Sequence, residues 1–291
     1  MSAQSFTTSY DSTPTADNPD PLPESTSSNF WANLLHDRFD LIESADVESI
    51  ERQTVLIEIL HALEQGHLRV AEPLLAGGWT VRGWVKRALI ALGSSGVVTT
   101  QTGPLPGTEL TTLGWREARS LDTRVPAGSH IRSGCYLAPG VSIMPPSTIQ
   151  AGAWLGSGVR VDSHVLVGSC AQIGEGVVLG CGTMVGGIIL PESVLPIILE
   201  AGVLVGGNCG LYGSLWIGEH AMLQPGTIVQ AAEGVFDSTT GEWLQPGPDA
   251  VLRIPPRAQL AMGLPPSEHL RSGIQRIAPV IFDYDADLNP V

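Results

Sequence analysis

The segment VDSHVLVGSCAQIGEG, residues 161–176, carries side chains whose types could do chemistry. Asp162, Ser163 and His164 are adjacent, and Cys170 follows six residues after the histidine. A hydroxyl or thiol beside an imidazole and a carboxylate is the usual composition of a nucleophilic site. Glycines recur in the same segment at positions 168 and 174, one hexad apart. The segment is therefore either a catalytic cluster or a structural repeat that carries polar residues.

A hydrophobic residue recurs at every sixth position through this region. The ten residues in this register are Ile131, Leu137, Ile143, Ile149, Leu155, Val161, Val167, Ile173, Leu179 and Val185. A small or β-branched residue mostly stands four positions later, and glycine often follows directly. Such hexads are typical of a parallel β-helix in which three hexads close one coil. We therefore predict a mainly β fold, a left-handed parallel β-helix of hexapeptide repeats with a small N-terminal helical domain.

The hexad register is interrupted twice. From Val185 to Leu199 the chain advances two hexads plus two residues, which predicts a short loop at residues 190–196. A second excursion, EGVFDSTTGEWLQPGPD, has a predicted hairpin turn at Thr240 and Gly241. Interruptions of a solenoid commonly carry its function.

The residues before the repeat have the pattern of a helical domain. Residues 1–28 are rich in Ser, Thr, Pro and Asp and are predicted to be a disordered tail. Two helices are predicted up to about residue 67, with Asp46 as an N-cap and Gly66 as a stop. A short strand-like stretch then leads into RGWVKRALIALGSSG, a third helix closed by Gly93.

These patterns divide the chain into four predicted parts. They are the tail at 1–28, the helical domain with its linker at 29–113, the β-helix at 114–265 and a C-terminal segment at 266–291.

Composition limits the classes of partner. The formal net charge is −14, which argues against nucleic acid or an anionic membrane as the main partner. Lys86 is the only lysine, so an anionic substrate must be met by arginines. The four cysteines form no CxxC pair and no zinc spacing, and no apolar signal segment follows the N-terminus. We expect a cytoplasmic protein without a membrane span and without a metal.

Several motifs together resemble the tetrahydrodipicolinate N-succinyltransferase family. They are LEQGHLRVAEP, GWTVRGWVKRALI, TRVPAGSHIRSGCYLAPGVSIMP, VGSCAQIG and DSTTGEW, and the resemblance runs from about residue 46 to 287. It implies an acyl-CoA-dependent enzyme of lysine synthesis through diaminopimelate that uses succinyl-CoA or another acyl-CoA. It also implies a homotrimer with active sites in clefts between subunits, where the amine of an amino-dicarboxylate attacks the thioester.

The resemblance assigns two site residues directly. Arg124 matches the substrate-binding arginine of the family's RVxP segment, and Asp162 matches the catalytic aspartate of its MVDTW segment. A guanidinium offers a planar fork for a carboxylate. The alternatives are a surface ion pair for Arg124 and a turn-forming residue for Asp162.

Other positions depart from the family pattern. The family's second substrate arginine and its catalytic glutamate correspond to Asn208 and Gly210 here, and the tryptophan of MVDTW corresponds to His164. We expect Asn208 to contact the substrate and His164 to supply the missing base. The family's C-terminal lysine pair corresponds to Phe282 and Asp283.

Two further assignments concern the acyl-CoA and a covalent nucleophile. Arg253 and Arg257 are the candidates for binding the acyl-CoA. Cys170 is not expected to act as a nucleophile, because acyl transfer needs no covalent intermediate and no cation flanks it in the sequence.

Two other functional classes stay open. The losses at Asn208 and Gly210 are compatible with a catalytically impaired paralogue that serves as a trimeric scaffold or regulatory subunit. A metal-dependent hydratase on the same prism would need three histidines across a cleft. The prism offers only His130, His164 and His220, without repeat-matched spacing.

Overall fold

The computed structural model describes residues 24–45, 49–94, 123–126, 128–266 and 276–285. The first part is a helical domain with α1 (Glu24–Ile42), α2 (Ile50–Glu64) and α3 (Gly83–Ser94). A hairpin of two antiparallel strands, Ala71–Pro73 and Trp79–Val81, joins α2 to α3. Apolar side chains from all three helices, including Phe39, Leu56 and Leu89, form one buried cluster.

The helix boundaries correct two of the predictions. Helix α1 begins at Glu24 and so includes the last five residues of the predicted tail, since extending a helix costs far less than starting one. Ser49 precedes α2, whereas Asp46 lies outside the described residues. Gly66 follows the end of α2 with a φ of 75°, as a stop residue should. The tail before residue 24 and the linker at 95–122 also lie outside the described residues.

The second part is a coil of short parallel strands arranged in three sheets, which we call faces 1, 2 and 3. Successive hexads place one strand on each face in turn. Face 1 consists of His130–Ile131, Thr148–Ile149, Leu166–Val167, Met184–Val185, Gly210–Tyr212 and Ile228–Gln230. Face 2 consists of Tyr136–Leu137, Trp154–Leu155, Gln172–Ile173, Ile198–Leu199, Leu215–Ile217 and Leu252–Ile254.

Face 3 is extended by strands of the second excursion and the C-terminal segment. Its coil strands are Ser142–Ile143, Arg160–Val161, Val178–Leu179, Leu204–Val205, Met222–Leu223 and Ala258–Gly263. Strand Ala278–Tyr284 continues the sheet, followed by Val235–Asp237 and Glu242–Leu244. The last two strands form the predicted hairpin around Thr240 and Gly241. A 3-10 turn, Ala231–Glu233, precedes the hairpin.

The interior of the coil is the core that the hexad register predicts. Its large residues are buried from Ile143 to Val185, and Ile131 and Leu137 pack against the same cluster. The small residues four positions later, from Cys135 to Thr183, are buried as well. Alternating one large and one small inward residue fills the shaft without voids.

The first interruption is longer than the register predicts. Ile173 pairs with Leu155, eighteen residues before it, and with Leu199, twenty-six residues after it, so the insertion has eight extra residues rather than two. The predicted loop at 190–196 is therefore part of a longer segment, residues 186–197, between face 1 and face 2. The segment packs against both the coil and α3, and the contact with α3 is one that the hexad register does not contain. Lys86, fully buried on α3, donates hydrogen bonds to the carbonyls of Val194 (2.6 Å) and Pro191 (3.5 Å).

A second set of contacts, centred on Arg69, fixes the helical domain to face 2. The Arg69 guanidinium stacks on the rings of Trp79 and Trp154, at 5.0 and 4.4 Å from their centroids. Its Nε donates a hydrogen bond of 2.6 Å to Gln172 Oε1. Burial lowers the pKa of Arg69 to about 10, so the side chain stays charged at neutral pH. Within the described part of the chain, no helix is long and apolar enough to cross a membrane.

Candidate functional site

Three of the predicted site residues, Asp162, His164 and Asn208, lie on one edge of the coil, where face 3 turns into face 1. We call this edge the 3–1 corner. His164, Gly182 and Asn208 occupy equivalent positions in three successive coils, with left-handed φ values of 62°, 73° and 56°. The backbone N–H of each donates a hydrogen bond to a backbone carbonyl in the preceding coil. The acceptors are the carbonyls of Pro146, Ser163 and Cys181 respectively. The corner needs a left-handed residue to turn this tightly, and Asn and His are among the non-glycine residues that tolerate it best.

Asp162 stands two residues before His164 at this corner, and its side chain is exposed. Its Oδ1 accepts a hydrogen bond of 2.7 Å from the N–H of the next residue, Ser163. Its backbone carbonyl accepts the Ser147 hydroxyl at 2.9 Å, which fixes the turn to the coil before. The carboxylate is therefore held on a rigid backbone and faces solvent, where a ligand can reach it.

Asn208 bends back along the corner toward the coil that carries His164. A Cβ on Gly182 would overlap Asn208 Oδ1, so the amide covers the bare backbone of that glycine. The same arrangement occurs at another corner, where His220 covers Gly202. Asn208 and His164 are both exposed. The corner thus presents a carboxylate, an imidazole and an amide along one edge, with glycine between them.

Arg124 lies on the outer surface of face 3, next to the 3–1 corner. It pairs in register with Ser142, which pairs in turn with Arg160. Arg124 and Arg160 are both exposed. Arg160 was not singled out from the sequence, although its separation of thirty-six residues from Arg124 equals two coils of the repeat.

The position of the missing glutamate is filled by another side chain. A Cβ added to Gly210 would lie 2.6 Å from Tyr212 Cε2 and 3.1 Å from its hydroxyl oxygen. The same ring lies 3.6 Å from the place of a Cβ on Gly186. Tyr212 therefore rests across two glycines of face 1, and a longer side chain at position 210 would have to displace it. The sequence contains both glycines but gives no sign of this contact.

Cys170 is packed away from the site. It is fully buried against the helical domain. Burial raises the pKa of its thiol to about 12, although the charge of Lys86 acts in the opposite direction. Lys86 reaches it from α3, so the structure supplies a cation that the sequence around Cys170 lacks. A buried, protonated thiol has no role as a nucleophile.

The two predicted acyl-CoA arginines lie apart from each other. Arg253 projects from face 2, stacks on Trp216 at 5.3 Å and binds Asp249 through two hydrogen bonds of 3.0 and 2.5 Å. That pairing lowers the pKa of Asp249 to about 2. Arg257 lies at the corner between faces 2 and 3, with a left-handed φ of 62°. Arg253 and Arg257 thus occupy different parts of the coil surface, one on face 2 and one at its corner with face 3.

The three prism histidines do not converge. His130 is on face 1, His164 at the 3–1 corner and His220 at the corner between faces 2 and 3. Among the described residues, no group of three His, Cys, Asp or Glu side chains could hold a metal ion. All four cysteines are free. Near the chain end, Phe282 and Asp283 are exposed on strand Ala278–Tyr284.

Comparison with known proteins gives one consistent result. Residues 33–92 match the model of the tetrahydrodipicolinate N-succinyltransferase N-terminal domain. A 2,3,4,5-tetrahydropyridine-2,6-dicarboxylate N-succinyltransferase of Granulibacter bethesdensis is 36% identical, over 77% of this chain and 80% of that protein. The protein of the same name from Gluconobacter oxydans is 38% identical, over 77% and 82%.

A solved structure is similar at a much greater distance. It is a hexapeptide-repeat containing acetyltransferase of Vibrio cholerae complexed with acetyl coenzyme A, 16% identical with a TM-score of 0.34, over 60% of this chain and 79% of that one. We draw nothing from a likeness of this size. The two close relatives, each matched over more than two thirds of both chains, show that the chain belongs to the tetrahydrodipicolinate N-succinyltransferase family.

Proposed function

We propose that the chain is an acyl-CoA-dependent N-acyltransferase whose acceptor is an amino-dicarboxylate. The names of its relatives give a dicarboxylate acceptor and the transfer of a succinyl group to nitrogen for those proteins. The amine attacks the thioester carbonyl, the carbon–sulfur bond breaks, and the proton lost by the amine balances the thiol released. The observation that carries the proposal is the exposed Asp162 carboxylate at the 3–1 corner, in the segment where the family motif places its aspartate.

The proposed roles follow from charge and position. Asp162 accepts a hydrogen bond from the acceptor amine and orients it, and Arg124 binds a carboxylate of the acceptor. His164, two residues from Asp162, takes up the proton of the amine, since a neutral imidazole has a ring nitrogen that can accept a proton. Asn208 contacts the substrate with its amide. Arg253 and Arg257 remain the candidates for the phosphate groups of the acyl-CoA.

We further propose the finer features that the family implies. The coil is left-handed, three chains form a homotrimer, and the sites lie in the clefts between neighbours. Succinyl-CoA is the proposed donor, no metal takes part, and the protein works in the cytoplasm in lysine synthesis through diaminopimelate. The predicted division into a helical domain, a β-helix from residue 114 and a C-terminal segment from residue 266 belongs to this proposal.

One observation favours the second candidate, a scaffold without activity. Gly210 has no side chain, and Tyr212 fills the space that a glutamate there would need. General base catalysis contributes about 10²- to 10⁴-fold, so a chain without a replacement base would be slow enough to pass for inactive. Activity of the purified protein separates the two candidates.

The test is thiol release from succinyl-CoA and other acyl-CoAs with an amino-dicarboxylate acceptor. Wild type should release thiol only with acceptor present, and Asp162→Ala should lower the rate by at least roughly 10²-fold at unchanged melting temperature. Asp40→Asn, a carboxylate on the surface of α1, is the matched control and should retain the rate. No release from any donor, together with no thermal shift on adding CoA, would favour the scaffold.

A further inference from the structure

Face 3 carries two arginines in register on its outer surface. Arg124 pairs with Ser142 and Ser142 pairs with Arg160, so the arginines stand two strand spacings apart, about 10 Å between their Cα atoms. Both are exposed, and the residue between them is short. The next outward positions of face 3, in register with Arg160, are Val178, Leu204 and Met222.

Two guanidinium groups on one rigid face, about 10 Å apart at their Cα atoms, are placed to bind one ligand between them. The chain has 15 basic residues against 29 acidic ones, so positive charge is scarce and its concentration here is notable. A dianion with its charges at two ends would meet both guanidinium groups at once.

The spacing fits the class of acceptor proposed above. Six bonds separate the carboxylate carbons of an extended seven-carbon dicarboxylate, which spans about 7 Å. Two arginine side chains about 10 Å apart at their Cα atoms can close on such a molecule from both ends. Asp162 lies two residues after Arg160 along the chain, about 7 Å away at its Cα. An amine next to the carboxylate held by Arg160 would therefore lie within reach of Asp162.

We propose that Arg160 is the second carboxylate-binding residue of this chain and that it acts together with Arg124. It takes over the charge that is lost at Asn208, where the family motif has an arginine. The inference rests on the proposed function for its choice of acceptor. A pair of guanidinium groups two coils apart on face 3 thus selects a dicarboxylate over a monocarboxylate acceptor.

The test compares two acceptors that differ in one carboxylate, 2-aminoheptanedioate and 2-aminoheptanoate, with the full chain. Arg160→Met should lower kcat/KM for the dicarboxylate by about 10- to 100-fold and change that for the monocarboxylate by no more than about twofold. The KM for acyl-CoA should not change, and Arg160→Lys should recover part of the loss. Arg276→Met, which removes an exposed arginine paired with Glu233, is the control.

Two results would overturn the inference. One is equal loss with both acceptors, which would mean a general structural effect. The other is an Arg160→Met variant as selective as wild type. Calorimetric binding of 2-aminoheptanedioate separates this inference from the proposed function. Suppose that wild type binds 2-aminoheptanedioate but releases no thiol, and that Arg160→Met binds it more weakly. That result would support the arginine pair and contradict the acyltransferase function.

Discussion

Lys86 ties the insertion at residues 186–197 to the helical domain, and replacing it by methionine should loosen that segment. The side chain is fully buried and donates to the Val194 carbonyl at 2.6 Å and to the Pro191 carbonyl at 3.5 Å. A hydrogen bond from a charged donor contributes about 1.5–3 kcal/mol, and a buried carbonyl left without a donor costs about 1–3 kcal/mol. Removing the buried charge offsets part of this loss. We expect Lys86→Met to lower the free energy of unfolding by about 1–3 kcal/mol.

The pH dependence of the free energy of unfolding tests the role of Lys86 independently. Burial lowers the pKa of Lys86, while nearby Cys170 and Glu192 act in the opposite direction. The unfolded chain therefore binds the proton more readily than the folded one, so stability rises as pH increases toward the unfolded pKa of about 10.4. In Lys86→Met this contribution to the rise of unfolding free energy with pH should be absent.

Urea unfolding and limited proteolysis measure these effects. The variant should be cut sooner within residues 186–197, with the cleavage sites identified by mass spectrometry. Arg38→Met, which breaks a half-buried ion pair with Glu58, is the control and should cost less than about 1 kcal/mol. If Lys86→Met were as stable as wild type and its insertion no more sensitive to protease, the role of Lys86 as a tie would be wrong.

Three more predictions concern single contacts. Gly210→Glu should not raise the rate of thiol release by more than about twofold, because the Tyr212 ring fills the site; with Tyr212→Ala added, it should gain roughly tenfold over Tyr212→Ala alone. Tyr284→Phe removes the 2.7 Å hydrogen bond to Asp237 and should cost about 1–3 kcal/mol in urea unfolding. Gly182→Ala forces a left-handed φ of 73° on alanine and displaces the Asn208 amide, so it should cost at least about 1–2 kcal/mol.

Each of these predictions has a contrary result, a pH dependence or a control variant that tests it further. A Gly210→Glu variant more active than wild type with Tyr212 intact would mean that the ring does not block the site. For Asp237, burial raises the pKa, but hydrogen bonds from Tyr284 and Thr239 lower it on balance. The stabilisation by this carboxylate is thus present above about pH 4 and lost below it. In Tyr284→Phe the free energy of unfolding should fall less as the pH is lowered through this range. For Gly182, the control is Gly93→Ala, where a Cβ meets nothing within 4 Å and alanine favours the helix.

The coil could be predicted from the sequence because burial repeats with the hexad. The shaft residues from Ile143 to Val185 are buried as the register requires, and the parallel partners are eighteen residues apart. The hairpin at Thr240 and Gly241 was equally predictable, since a local turn decides it.

Contacts between distant segments could not be predicted in this way. The insertion packs against Lys86, which lies 108 residues before Val194 in the chain. The Tyr212 ring over Gly210 depends on two glycines that are brought together only by the coil. The Arg124 and Arg160 column was available in the sequence, because a separation of two coils puts residues on the same face.

The most direct test of the account is the identity of the product. Wild-type protein is incubated with succinyl-CoA and 2-aminoheptanedioate, and the mixture is analysed by mass spectrometry alongside thiol release. We predict an N-succinylated acceptor, formed in equal amount to free CoA and absent when Asp162→Ala replaces wild type. Folded wild-type protein that yields no acylated acceptor from succinyl-CoA or any other acyl-CoA would contradict the proposed function.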